Sequence, residues 1–243
     1  MRLLLVFIEE PTPGKVLPEI TAKIGAEKAC QYYKAMVEVM LKQLQGLEKC
    51  RIRFCYSPHG AGDATRFWLL PQIPATRCDI EGLYIASSPE LQTQEIDFRA
   101  QGGGSLAERQ RRAFSAGFSD GYQEIAIVDP TCIECGARWI NASFARFHGE
   151  TSRDTLIGAS EGGDHYILAL NSDAPDLFEQ TEEQSKRGLA ISDSKARQLG
   201  REVERLPPLS VTTCLDDWHR LLDSPLGPAL KKALGEPPED AGA

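Results

Sequence analysis

The chain has 243 residues, 42% hydrophobic and 26% charged, with 27 lysines and arginines against 35 aspartates and glutamates for a net charge of −8. That composition is globular and excludes collagen-like, low-complexity and wholly disordered chains, and the length is ample for a sizeable core. A net negative field does not attract a phosphate backbone, so no nucleic-acid partner is expected.

Leu3–Ile8 is a continuous apolar run and predicts a buried strand. It is too short for a signal sequence and runs directly into Glu9-Glu10. Pro11-Thr12-Pro13-Gly14 breaks it, since no helix or central strand tolerates that sequence. A helix is predicted over residues 25–47, where Ala29, Tyr33, Met36, Val37, Met40, Leu41 and Leu44 recur at three- and four-residue spacing. Residues 51–56 alternate as a strand, residues 57–99 are less regular, and a short strand is expected over residues 83–86.

Ser105 followed three residues later by Glu108 matches a capping box, which starts a helix over about residues 106–118. Residues 124–128 read as a second buried strand leading into Asp129-Pro130-Thr131-Cys132. A helix near residues 137–147, strands at 155–158 and 165–170, a helical stretch at 192–199, a short strand near Val203 and a helix at 215–222 complete the pattern. This alternation implies one α/β domain over residues 1–226 with a mostly parallel sheet, and a frayed tail over residues 227–243. Ligands in such sheets bind beyond the carboxyl ends of the strands, which directs attention to the loops at 9–16, 129–135 and 159–164.

Those loops carry a family resemblance. Leu3 to Val16, ending in Pro13-Gly14-Lys15-Val16, resembles the opening of the bacterial small nucleotide-diphospho-sugar transferase-like proteins, an apolar strand followed by P-x-P-G-K-V. Gly104-Ser105-Leu106-Ala107-Glu108-Arg109 is similar to their G-x-L-G-E-R, and Leu156 to Leu170 to their V-L-G-P-A-x-D-G-G-Y-Y-L-L-G-L. Leu206-Pro207-Pro208-Leu209 precedes the position of their D-x-D-T. The resemblance implies a three-layer α/β/α, GT-A-type fold and a nucleotide or nucleotide-sugar ligand. It also implies a magnesium or manganese ion held against a diphosphate, and transfer of a glycosyl or related group.

The chain departs from the pattern where that chemistry should lie. The family's K-T-R-L is replaced by Leu17-Pro18-Glu19-Ile20, and the aspartate of its G-S-D-C-P falls on Thr131. Its D-G-G becomes Gly162-Gly163-Asp164, its D-x-D pair falls on Val211 and Thr213, and the tryptophan of its W-S-T falls near Glu183. An active site would therefore use displaced carboxylates, Asp129 and Asp164, as catalytic and metal-holding groups, with Pro13, Gly14, Lys15 and Arg109 at the nucleotide. The other reading is a non-catalytic descendant of the fold that binds a protein or small ligand.

Each signal has a plainer reading. Lys15 and Arg109 are also residues that sit in solvent or join a charged helix face. Cys132-Ile133-Glu134-Cys135 is a C-x-x-C without a second pair or a histidine pair to complete a zinc site, so packing is the leading reading and thiol or metal chemistry a minor one. Gly102-Gly103-Gly104 lacks the ending of a phosphate loop and reads as a flexible turn. Seven cysteines, an odd number, fit reduced thiols, and no apolar run reaches the roughly 18–20 residues that span a bilayer. A soluble cytoplasmic protein without membrane insertion is expected.

Overall fold

A computed structural model of the chain describes residues 1–73, 76–78, 84–86, 95–148, 153–160, 163, 165–178 and 193–236. Strand β1 (Arg2–Glu9) lies at the centre of the sheet, between β2 (Cys50–Ser57) and β6 (Glu124–Val128), and is parallel to both. Both of its faces are covered. Leu4, Val6 and Ile8 point into one apolar core, Leu3 and Leu5 into another, and all five are fully buried. That two-sided burial is why the strand reads as an unbroken apolar run.

Outward from β2 comes the parallel β5 (Glu95–Ala100), then β4 (Tyr84–Ala86) and β3 (Thr76–Cys78), each antiparallel to its neighbour. Beyond β6 the order is β8 (His165–Leu170), β7 (Thr155–Ala159) and β9 (Val203–Leu206). β8 runs against both β6 and β7, whereas β9 is parallel to β7. Among the described residues the sheet has nine strands in the order β3-β4-β5-β2-β1-β6-β8-β7-β9. The mostly parallel sheet expected from sequence is found, with β4 and β8 as the reversed members.

The helices lie on both faces and complete three layers. The larger core collects α1 (Pro18–Ile24), α2 (Ala26–Gln43), α5 (Ala137–Ala145), α7 (Leu215–Leu222) and α8 (Gly227–Ala233) through Ile20, Met36, Met40, Ile140, Phe144, Trp218 and Leu230. α3 (Gly62–Leu69) joins it through Leu69. On the opposite face α4 (Leu106–Ser119) and α6 (Asp193–Gln198) contribute Phe114 and Ala196, with Phe178 beside them. The capping box at Ser105 is present: Glu108 N–H donates to the Ser105 hydroxyl at 3.3 Å, and Ser105 N–H donates to Glu108 Oε2 at 2.7 Å.

Several features differ from the sequence expectation. α1 occupies residues left without an element, because Pro18 sits where its missing N–H is no loss to a helix start. α3 and β5 lie in the stretch read as irregular. β5 does alternate, Ile96 and Phe98 against Asp97 and Arg99, but the run is short; in the sheet its charged residues are paired, Asp97 with Arg53 and Arg99 with Asp120. Residues 227–233, expected to fray, form α8. Leu226, Leu230 and Leu234 recur every four residues, Pro228 stands at the helix start, and Leu230 is fully buried. No helix among the described residues is long and apolar enough to cross a membrane.

Candidate functional site

The sheet reverses its direction of build between β1 and β6, and the loops after these two strands diverge to leave a crevice at their carboxyl ends. A cleft of about 730 Å³ opens there. It lies within the range typical of small-molecule sites, several hundred to about 1,000 Å³.

The first wall follows β1. Lys15 N–H donates to Thr12 O at 3.0 Å, and Gly14 adopts φ 81°, a left-handed conformation that glycine takes without the Cβ clash. This turn delivers Lys15 to the cleft, with Val16, Leu17 and Glu19 after it. Cys30 of α2 donates its thiol hydrogen to Pro11 O at 3.0 Å and so ties the loop to the helix beneath. Leu17 itself has φ 48° at the start of α1, a conformation strained for a side-chain-bearing residue.

The second wall follows β6. Asp129 N–H donates to Tyr166 O at 2.9 Å, and Asp129 Oδ1 accepts from both Thr131 N–H at 2.8 Å and the Thr131 hydroxyl at 2.7 Å. Both residues line the cleft. The turn then buries Cys132 and Cys135 in the larger core. Burial, together with the charge of Asp129, pushes both thiols far above the ordinary cysteine range. Among the described residues no group of three or more histidines, cysteines, aspartates or glutamates is placed to hold a metal ion.

The third wall is the segment from β9 to α7. Val211, Thr212 and Thr213 line the cleft, so the position where the resembled family carries its acidic pair does face the site, without acids. The segment is fastened at several points. Ser210 N–H donates to Glu134 Oε2 at 3.0 Å, Thr212 N–H to Thr131 O at 3.4 Å, and the Tyr166 hydroxyl to Pro207 O at 2.5 Å. Asp217 of α7 is the main anchor. Its Oδ2 accepts Thr213 N–H, the Thr213 hydroxyl, Cys214 N–H and the Cys214 thiol. Burial alone would raise the Asp217 carboxyl, but these donors outweigh it and hold it below the ordinary carboxylate value.

Arg109 is not among the cleft-lining residues. Its Nη1 donates to Gln101 Oε1 and lies 3.4 Å from Glu9 Oε1, and Glu9 does line the cleft. Pro13 and Gly14 likewise shape the turn and do not face the cleft. Asp164, Glu161, Gly162 and Glu183 lie outside the described residues, whereas the neighbouring His165 lines the cleft.

Sequence reading missed Tyr33, Gln101 and Asp217. Tyr33 sits in the apolar stripe of α2 and reads as core, yet its hydroxyl accepts Glu9 N–H at 3.1 Å at the cleft. Burial pushes that hydroxyl well up and keeps it protonated. Asp217 had a legible signal, since it stands at the third position of α7 after Cys214, where an acid completes a cap. Gln101 had none. In charge, the described lining is three carboxylates, Glu9, Glu19 and Asp129, against the ammonium of Lys15.

A mostly parallel sheet with β4 and β8 reversed, helices on both faces and a crevice beyond β1 and β6 defines a GT-A-like fold of the nucleotidyl- and sugar-transferase type. Residues 40–183 match the model of the family DUF2064, described as "Uncharacterized protein conserved in bacteria", and the chain belongs to that family. It is similar to a protein of Desulfovibrio desulfuricans G20 provisionally named a nucleotide-diphospho-sugar transferase, with TM-score 0.75, 23% identity and 96% of each chain covered. It also resembles a cytidylyltransferase from Leptospira borgpetersenii serovar Hardjo-bovis, with TM-score 0.53, 9% identity, and 90% of this chain and 84% of that one covered. A 4-diphosphocytidyl-2C-methyl-D-erythritol synthase from Anaerococcus prevotii DSM 20548 gives TM-score 0.53 at 8% identity, over 89% of this chain and 94% of that one. At these identities the likeness is one of fold. None of the curated proteins compared matches the chain.

Proposed function

We propose that the cleft binds a nucleotide-activated sugar or a related nucleotide, and that the chain transfers a glycosyl or related group from it. The observation that carries this reading is the convergence of Lys15 and Asp129, from the loops after two adjacent parallel strands, on one cleft of nucleotide size. Lys15 would meet diphosphate oxygens as a point charge. The cleft wall is otherwise acidic, and Glu19 stands where the resembled family has an arginine, so a diphosphate needs a cation to enter.

Magnesium or manganese takes oxygen ligands and is commonly held by one or two carboxylates together with substrate phosphates. The donor set fits a shared ion of that kind and not an all-protein cage, because among the described residues no three ligating side chains gather, while Asp129 lines the cleft with its carboxylate oriented by Thr131. Asp164 would be the second carboxylate. When bound, the ion would neutralise the departing diphosphate. The burial of Cys30, Cys50, Cys55, Cys132 and Cys135 as free thiols supports a reducing, cytoplasmic setting.

Calorimetric titration with UDP-, GDP-, CDP- and dTDP-sugars, with and without manganese, tests the proposal. Manganese-dependent binding of one of them is expected, and folded protein that binds none overturns it. One observation favours a second reading, a non-catalytic binding module: the third wall carries Val211, Thr212 and Thr213 where the family's acidic pair falls. Under that reading Asp129→Ala leaves the protein's interactions unchanged, and a partner is recovered with either form.

A further inference from the structure

The Gln101 side chain is 4% exposed, and its Nε2 donates to two backbone carbonyls, Ile8 O at 3.3 Å and Cys55 O at 2.8 Å. A carbonyl only accepts, so the amide nitrogen must face these two groups and the amide oxygen must face the other way. That oxygen meets Arg109 Nη1. The same Nη1 lies 3.4 Å from Glu9 Oε1, while Arg109 Nε has no hydrogen-bond partner among the described residues. The arginine is thus drawn by one end, through a buried amide whose orientation the ends of β1 and β2 fix, to the back of a carboxylate that faces the cleft.

We propose that Gln101 is a positioning residue that fixes Arg109 as the counter-charge of Glu9, so that Arg109 serves an anionic ligand by neutralising Glu9 and not by touching its phosphates. The part about the ligand rests on the nucleotide reading above. Glu9 is about half exposed and Arg109 about one-fifth, at 47% and 20%, so the carboxylate fronts the cleft and the guanidinium stands behind it. Without that guanidinium Glu9 would present a bare charge to any anion entering, and the partly buried setting makes such a charge felt more strongly than in water.

The backbone of residue 101 is held independently of its side chain. Gln101 N–H donates to Tyr56 O at 2.9 Å, and Arg112 Nη2 donates to Gln101 O at 3.1 Å. Two variants therefore separate packing from positioning. Gln101→Met and Gln101→Glu both lose the donors to Ile8 O and Cys55 O, but Gln101→Glu keeps an acceptor for Arg109.

The experiment has two arms on the full chain. In the first, ¹⁵N NMR follows the guanidinium of Arg109, assigned by its loss in Arg109→Lys. Separate, slowly rotating Nη signals are expected in the wild type and in Gln101→Glu, and averaged signals in Gln101→Met. Identical signals in all three overturn the proposal. In the second arm, the nucleotide-sugar that binds best with manganese is titrated into variants. Arg109→Gln is expected to weaken binding roughly fivefold, as the loss of one partly exposed charge pair does. The double variant Glu9→Gln/Arg109→Gln is expected to restore it, and a double variant as weak as the single one would mean that Arg109 touches the ligand directly, which also overturns the proposal. If the wild type binds no nucleotide-sugar, the nucleotide reading falls, and the NMR arm alone decides whether Gln101 positions Arg109.

Discussion

Thr131 donates both its backbone N–H and its hydroxyl to a single oxygen of Asp129, at 2.8 and 2.7 Å. The residue at the position where the resembled family has a metal-binding acid thus orients an acid two places earlier. If Asp129 holds the ion as proposed, Thr131 supplies its orientation, because a carboxylate gripped by one oxygen is held in one orientation. Asp129→Ala should abolish manganese-dependent nucleotide binding. Thr131→Val should weaken it by about tenfold, the usual size for losing an orienting partner, while Thr131→Ser retains it. Calorimetry reads all three, and unchanged binding in Asp129→Ala would remove the displaced-ligand idea.

What the sequence disclosed follows from which residues have local signatures. β1 and β6 are buried on both faces, so Leu3–Ile8 and Glu124–Val128 announce themselves as apolar runs, and Ser105 with Glu108 announces the start of α4. Lys15 and Asp129 could be placed in one cleft because strand order and the carboxyl-end rule act on elements already legible. Gln101 and Tyr33 could not. Their roles depend on where Ile8, Cys55 and Glu9 arrive in space, and neither residue type nor spacing encodes that. β5 stayed unread although Ile96 and Phe98 alternate with Asp97 and Arg99, because the run is only six residues long and sits in a stretch of irregular pattern. Its register is set by Arg53 of β2, 2% exposed, which pairs with Asp97 across the two strands.

Asp217 should make the third wall of the cleft sensitive to acid. Its carboxyl lies below its value of 3.8 in an unfolded chain, since the donors of Thr213 and Cys214 outweigh the effect of burial. A depressed carboxyl contributes stability that is fully present above about pH 4 and is lost as the pH falls through the folded-state value. Wild type and Asp217→Asn should therefore differ in stability at pH 7, by about 1 kcal/mol as for other capping residues, and converge as the pH falls below the folded-state value of Asp217. Denaturant melts across that range test this, and a gap that persists at low pH would contradict it.

The thiols of Cys132 and Cys135 should be inert in the native protein. Both are buried under the Asp129 turn and pushed far above the ordinary cysteine range, so almost no thiolate exists at pH 8. Cys50 and Cys55 are raised to about 12 by burial and should behave alike. Brief treatment with an alkylating reagent followed by peptide mapping should find these four unmodified, and Cys214, which is partly exposed, modified before them. Fast labelling of Cys132 or Cys135 would revive a thiol function for the C-x-x-C.

Lys49 holds φ 50° in the turn between α2 and β2, a left-handed conformation that costs a side-chain-bearing residue about 1–2 kcal/mol. Its side chain is exposed, so little packing is lost by removing it. Glycine adopts the same backbone without the Cβ clash, at the expense of greater freedom in the unfolded chain of about 0.5–1 kcal/mol. Lys49→Gly should therefore stabilise the protein by roughly 0.5–1 kcal/mol, the balance of those two terms. Lys49→Ala keeps the Cβ and should give no gain, so the pair isolates the backbone effect. Equal denaturation midpoints for Lys49→Gly and Lys49→Ala would show that this turn is not strained.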